Sequence, residues 1–502
     1  KGLARRQRTL LDISSSRPSH ERMATVVSSA SSALVGAMDK LIILSNAPRS
    51  WPPYATRAFG FLVAACFLLA VLLGVDLGIG TAGDLKAKAK FSEADKAKRQ
   101  AQKSAFRRFQ ASYLTAYLIT MLADWLQGTN MYTLYSGYDM PVGILFITGF
   151  TSSAVFGTFV GIYVDQYGRK MGCVLFCLLE IAINILEHFP NFWLLILGRV
   201  MGGISTSLLF SAFESWMVTE HRKRGFPEEW LATTHGLCST GNGLVAVLAG
   251  VVAQLASDAW GDIGPFRLAV MLSGLCLLVV VTWPENHGTQ DTAEASAYSL
   301  AVKDIRTKTP VWLLGVIQSL YEGAMFTFVF VWVPKIFTVA PSTHLDLVSG
   351  HEVPNSSPPL GLLFASFMVC ITIGGMLFTP LNDSMGPEWA TTLVTALSAC
   401  SMVVPVVTDS FPITLAAFMT LEACVGCWFA CSATLRSKYI DDKLQSSIMT
   451  IFRVPLNALV VIGTRLEQTA TLPTVFTVAA VWFGLSCVFQ SALAGWADGK
   501  RD

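Results

Sequence analysis

Thirteen apolar runs, cut apart by polar turns, leave this chain little choice but to fold inside a lipid bilayer. They are Ala58 to Gly80, Phe109 to Tyr135, Val142 to Val164, Met171 to Leu186, Phe192 to Val218, Trp230 to Leu255, Gly264 to Thr282, Val311 to Val333, Leu360 to Leu381, Trp389 to Thr408, Phe411 to Leu435, Ser446 to Thr464 and Leu472 to Gly495. Most approach the ~20 residues that cross a ~30 Å hydrocarbon core at ~1.5 Å per residue. Charged residues make up only 14% of the sequence, well below the roughly 25% of a soluble globule. The expected fold class is therefore an all-α polytopic membrane protein. The eleven cysteines fall almost wholly inside the apolar runs, where they act as small packing residues and predict neither a disulfide framework nor a metal site.

Sidedness follows from one turn. Between the runs ending at Val164 and beginning at Met171 stands Gly161-Ile-Tyr-Val-Asp165-Gln-Tyr-Gly168-Arg169-Lys170. Arg169 and Lys170 mark a cytoplasmic turn, Gly168 lets the chain reverse tightly, and Asp165 is suited to bonding free helix-end N–H groups or a cation. The same side then collects Lys86, Lys88, Lys90, Lys96, Lys98, Arg99, Lys103, Arg107 and Arg108, then Arg222 to Arg224, Lys303, Arg306 and Lys308, and Arg436, Lys438 and Lys443. The opposite loops hold little beyond Lys335 and Arg465, with Asp139, Asp258 and Asp262. The Ser-rich, Arg-containing and acid-poor stretch 1–57 reads as a disordered or targeting leader, with Met23 an alternative start. An extra span follows at 58–80 and a basic cytoplasmic loop at 81–108. Six-helix bundles at 109–282 and 310–495 are expected around a cytoplasmic linker at 283–309, with a tail at 496–502. Asn382-Asp383-Ser-Met-Gly386 reads as a degenerate second copy of the basic turn, and Asn355-Ser-Ser357 as a glycosylation sequon on the outer side.

Ionisable groups at membrane depth cost about 2.5 to 3.5 kcal/mol each on insertion scales, so those retained point to a site. Counted from the cytoplasmic edge at ~1.5 Å per residue, Asp124 lies about 22 Å deep and Arg199 about 20 Å, close enough to suggest a pair. Glu322 and Glu422 both fall at about 16 Å and Arg453 at about 10 Å. The two midplane glutamates and Asp124 are candidates for proton coupling or buried charge. Arg199 and Arg453 are candidates for anion binding, since a guanidinium stays charged and presents a planar fork. Asn242 and Asn457 are candidate donors to a substrate. Glu214, at the cytoplasmic end of its run, is expected to latch onto Arg169 and form a gate with Gly161, Asp165, Gly168 and Lys170. Its neighbours Gly202, Gly203, Ser205, Thr206, Ser207 and Ser211 suit close helix contact. Gly241-Asn-Gly243-Leu-Val-Ala246 fits a loose dinucleotide fingerprint, but it lies within a membrane run with no strand before it, which excludes that reading.

The pattern G-x-x-x-D-x-x-G-R-K resembles the signature loop between helices 2 and 3 of the major facilitator superfamily of secondary transporters. Longer strings resemble its molybdate-anion transporter family: Ala123-Asp-Trp-Leu-Gln127 with Tyr132 and Tyr135, Gly198-Arg199 through Gly203, Leu209 to Trp216, Gln318 to Trp332, Ser366-Phe-Met368, Arg436-Ser-Lys438, and Phe452-Arg453-Val-Pro455-Leu-Asn457. The resemblance implies two pseudo-symmetric bundles rocking about a central site lined by helices 1, 4, 7 and 10, with molybdate as substrate. Asp124, Arg199, Glu322 and Glu422 fall on those four helices. The expected activity is secondary transport of a small oxyanion by alternating access. Proton-coupled transport of another solute and a non-transporting sensor or scaffold are the competing readings. No enzymatic constellation, cofactor, metal or nucleic-acid partner is expected. The expected partners are a small inorganic anion, protons and the lipid bilayer, in the plasma membrane or an organelle membrane.

Overall fold

A computed structural model describes residues 51–73, 93–157, 159–287, 294–345, 352–354, 357–441 and 444–499. The leader up to residue 50, the sequon asparagine Asn355 and residues 500–502 of the tail lie outside these residues. The helices are α1 (Pro53–Leu72), α2 (Glu93–Gly137), α3 (Val142–Phe156), α4 (Val160–Tyr167), α5 (Arg169–Leu186), α6 (Phe192–Lys223), α7 (Glu228–Trp260), α8 (Gly264–Val280), α9 (Glu294–Thr307), α10 (Thr309–Val339), α11 (Leu360–Val407), α12 (Phe411–Tyr439), α13 (Gln445–Thr469) and α14 (Leu472–Asp498). Strands β1 (Thr343–Leu345) and β2 (Glu352–Pro354) pair antiparallel in the loop after α10. Among the described residues, eight helices are long and apolar enough to cross a membrane, and α3 and α8 are shorter apolar helices.

Several boundaries differ from the sequence reading, each for a local reason. The leading helix starts at Pro53, five residues before the predicted Ala58, because proline suits the first helical turn and needs no N–H partner there. Glu93–Gly137 is one helix, so part of the expected 81–108 loop is a rigid extension of the first core span. The run from Val142 to Val164 breaks near Gly157 into α3 and α4. The linker contains α9. The eighth and ninth core spans, by contrast, are two helices that meet where the sequence places a turn, at Gly386, whose φ of 78° is a left-handed value that glycine adopts freely; α11 denotes the pair.

Helices α2 to α8 pack mainly among themselves, as do α10 to α14, giving two bundles. Their shared interface runs from the middle of the helices to the face opposite the basic turns. There Gly250 and Gly361 let α7 and α11 touch, since a Cβ on Gly250 would meet the Gly361 carbonyl at 2.6 Å. Gln254 Oε1 accepts from the Gly361 N–H at 3.0 Å. Phe150 meets Phe326 and Phe330 at 5.7 and 5.3 Å between ring centroids, joining α3 to α10. Helix α1 lies on α11 and clasps both bundles: Trp51 Nε1 donates to Asp258 of α7 at 2.7 Å, and Tyr54 packs edge-on against Phe411 of α12 at 4.9 Å.

Candidate functional site

The signature turn is built by the start of the linker. Gly168 has φ 124°, and a Cβ there would meet the Glu285 carboxylate at 2.6 Å, so only glycine fits without movement. Glu285 accepts from the N–H groups of Lys170 and Met171 at 2.8 and 3.1 Å, placing an anion on the positive end of α5. Trp283 stacks on Trp216 at 3.8 Å, and the Trp216 indole donates to the Pro284 carbonyl at 2.9 Å. Arg169 donates to Thr219 and to the Ser215 carbonyl. The expected Glu214 latch is absent: Glu214, 63% exposed, sits 3.9 Å from His235 of α7 instead of on Arg169. The side chain of Asp165 lies outside the described residues.

Deep in the first bundle, Asp124 is surrounded by protein yet exposed to solvent, so it faces a water-accessible cavity. Behind it on α5 is Glu180, which acts electrostatically on Asp124. Buried Glu180 accepts from Gln127 Nε2 at 2.8 Å and Ser205 Oγ at 2.6 Å, with Asn184 Nδ2 at 3.4 Å. Three neutral donors thus support a carboxylate at membrane depth. Asn242 accepts from the Trp125 indole at 2.9 Å, tying α7 to α2.

Arg199 does not pair with Asp124. Its Nη2 binds Glu187 Oε1 at 2.8 Å, and Glu187 is fully buried. The Tyr135 hydroxyl donates to the same oxygen at 2.8 Å, the guanidinium lies 5.7 Å from the Tyr135 ring centroid, and Nη1 contacts Met131 Sδ at 2.9 Å. The reason is local: Glu187 ends α5 and Arg199 lies two turns into α6, so the short turn between these antiparallel helices brings the two charges level.

The second bundle contributes a different arrangement. Glu322 of α10, about 20 Å along the helix from Thr309, lies beside Gln318 and Trp428 and in the field of Arg436 and Arg453. It forms no ion pair with either arginine within 4.0 Å, leaving space between the charges. Arg453 is exposed and makes no hydrogen bond among the described residues. Arg436 Nη1 donates only to Ser432 Oγ, at 2.6 Å. The Trp428 ring stacks on Tyr321 at 3.9 Å, which holds its indole beside Glu322. Glu422 stands apart, buried near Tyr321 and Cys370 and without a hydrogen bond. Asn457, one helical turn beyond Arg453, also makes none.

The structure therefore groups Glu322 with Arg453, sets Asp124 beside Glu180, and removes Arg199 into a separate pair. Glu180, Glu187, Arg436, Gln318 and Trp428 are candidate site residues that sequence reasoning passed over. Glu180 and Glu187 had a visible signal, since acids at or beside the apolar run Met171 to Leu186 are as costly there as Asp124. Among the described residues no group of three or more His, Cys, Asp or Glu side chains is placed to hold a metal ion.

A family model described as sugar transporters, 12 TM, matches residues 59–427. A molybdate-anion transporter from Xenopus tropicalis is 32% identical over 376 residues, covering 72% of this chain and 79% of the relative. One from Takifugu rubripes is 32% identical over 402 residues with the same coverages. Among solved structures, the peptide transporter PepTSo superposes with a TM-score of 0.61 at 8% identity, covering 77% of this chain and 97% of the other. The nucleoside transporter NupG gives 0.57 at 13% identity over 77% and 98%. At such identities these two structures speak for the fold alone.

Proposed function

Because this chain belongs to the major facilitator superfamily, in the twelve-helix transporter family matched over residues 59–427, we propose that it moves a small oxyanion, molybdate, by alternating access. What supports the reading is the pair of arginines, Arg436 and Arg453, close enough to act on Glu322 electrostatically but not in an ion pair with it. A guanidinium stays charged at any working pH and offers two parallel N–H donors, a geometry suited to oxyanion oxygens. The relatives' name, molybdate-anion transporter, supports the same substrate class. In this reading the basic face is cytoplasmic, α1 is an extra span with its start outside, and the protein resides in the plasma membrane. The present conformation opens inward, with the outer halves of the bundles in contact.

Turnover follows from the charge placement. The anion enters between Arg436 and Arg453, with Asn457 and Asn242 as neutral donors from the two bundles. Glu322 opposes the anion while ionised, so protonating it favours loading, and its deprotonation favours release. Closing the cytoplasmic side then brings Glu214 and the signature turn towards the second bundle. Proton-linked transport of a neutral solute is the second reading, favoured by Glu422, a buried carboxylate with no cation near it, and by the family's description as sugar transporters.

The test is uptake into liposomes holding the purified chain, with molybdate, sulfate and a set of sugars supplied under varied pH gradients. Saturable molybdate uptake that is lost in Arg453→Gln and Arg436→Gln is the expected result. Sugar uptake with no oxyanion transport in the unaltered protein would replace the first reading by the second.

A further inference from the structure

The first turns of α2 carry a basic surface that transport does not use. Gln100, Lys103, Ser104, Arg107, Arg108 and Ala111 line a cavity of about 420 Å³ at the basic face. They recur three and four residues apart, on a single stripe of the helix. The other side of the same turns is fixed to the first bundle. Phe106 and Phe109 are buried, with Phe106 edge-on to Phe226 at 5.4 Å and Phe109 6.0 Å from Trp216. Gln102 Nε2 donates to the Gly225 carbonyl at 2.9 Å. The direction of the stripe is thus set before anything binds to it.

Two further observations say what fits. From Arg108 to its end at Gly137 the helix measures about 45 Å at ~1.5 Å per residue, the thickness of a bilayer with its headgroups. Arg107 and Arg108 therefore stand at headgroup level. Nearby arginines are matched by carboxylates, Arg222 by Glu228 at 2.9 Å and Arg224 by Glu220 at 2.8 Å. Arg107 and Arg108 are exposed and have no such partner among the described residues, and the stripe contains no acid.

We infer that this stripe binds the phosphate-bearing headgroup of an anionic phospholipid from the adjoining leaflet, with Arg107 and Arg108 making the charged contacts. Juxtamembrane basic residues each contribute about fivefold to association with an anionic surface, so losing both costs about thirtyfold. The inference concerns lipid and stands whatever the cargo is.

The experiment is a titration of the detergent-solubilised full chain with phosphatidylserine, read by native mass spectrometry, with phosphatidylcholine and inorganic phosphate as separate probes. Wild-type protein is expected to retain phosphatidylserine over phosphatidylcholine, and Arg107→Gln with Arg108→Gln to lose that preference by about thirtyfold. Arg222→Gln, a charge control outside the stripe, is expected to keep it. Ser104→Trp, which fills the cavity while keeping both charges, is expected to weaken it as well. Wild-type phosphatidylserine binding in both stripe variants overturns the inference. So does complete displacement of the lipid by inorganic phosphate, which would make this a free-phosphate site.

Discussion

Replacing Glu187 by glutamine asks whether Arg199 is a strut or a contact for the cargo. Glutamine keeps the size and an acceptor oxygen near the Tyr135 hydroxyl, but it removes the charge that Arg199 faces at 2.8 Å. Glu187 is fully buried and the Arg199 side chain is 12% exposed, so water does little to replace the lost partner. Breaking a buried pair from one side costs about 3 to 5 kcal/mol. The lower figure suits this site, because Arg199 Nε and Glu187 Oε2 already lack partners. At ~1.4 kcal/mol per tenfold, roughly two powers of ten are expected in the population of opened protein. Thermal inactivation in detergent reads this directly, and the uptake KM at a permissive temperature reads the cargo. A strut predicts a much shorter half-life with KM unchanged. Exchanging both residues, Glu187→Leu with Arg199→Met, should restore much of the stability, since apolar replacement of a buried pair is often neutral or better. An unchanged half-life together with a raised KM for the anion would refute the strut and return Arg199 to the binding site.

Other outcomes follow from the same geometry. Arg453→Lys keeps the charge but loses the fork, and is expected to weaken anion affinity about tenfold in uptake assays; wild-type affinity would remove Arg453 from recognition. Glu322→Gln and Glu422→Gln are each expected to flatten the pH dependence of uptake, and unchanged profiles in both would leave these residues structural. Trp51→Phe deletes the N–H that reaches Asp258 and is expected to raise the outward-open population, read as faster labelling of a cysteine placed at Ala365, which is buried against Gly250 where α7 meets α11; equal labelling rates would show that α1 does not hold the outer side shut. Gly426→Ala puts a methyl group against the Ile371 carbonyl where α11 and α12 cross, which should cost about 1 to 3 kcal/mol. Unaltered thermal stability would mean that the crossing yields easily.

What the sequence exposed was set by single elements, and what it hid was set by contacts between them. The core spans and the basic turn were legible because length, hydropathy and loop charge are local properties. Glu322 stood out for the same reason, as an acid alone in an apolar run. Arg436 was counted as loop charge, and only the packing of α12 beside α10 brings it into the field of Glu322. Depth counting put Asp124 and Arg199 at one level, but depth says nothing of the angle around a helix, and Glu187 claimed the arginine first. The role of Glu285 was equally hidden, because the linker reaches the signature turn across more than a hundred residues. The docking of the chain before α1 on the first bundle, through Trp51 and Asp258, is likewise a contact no local pattern announces.

The outer seal also decides where a membrane voltage acts. The solvent-exposed carboxylate of Asp124 shares the potential of the basic face, so the electrical drop is compressed into the stretch of α2 beyond it, which a cavity of about 650 Å³ lined by Asn130, Thr133 and Ser136 shortens further from the opposite end. Arg199 and Glu187 lie in that compressed field, but as a neutral couple they feel almost no net force, which lets the seal carry buried charge without being pulled by voltage. In the proposed cycle a divalent anion held by Arg436 and Arg453 has traversed little of the drop. Its electrical work, about 4.6 kcal/mol per 100 mV for two charges, is therefore exchanged when the seal parts, and voltage acts on the rate of rocking more than on the occupancy of the site.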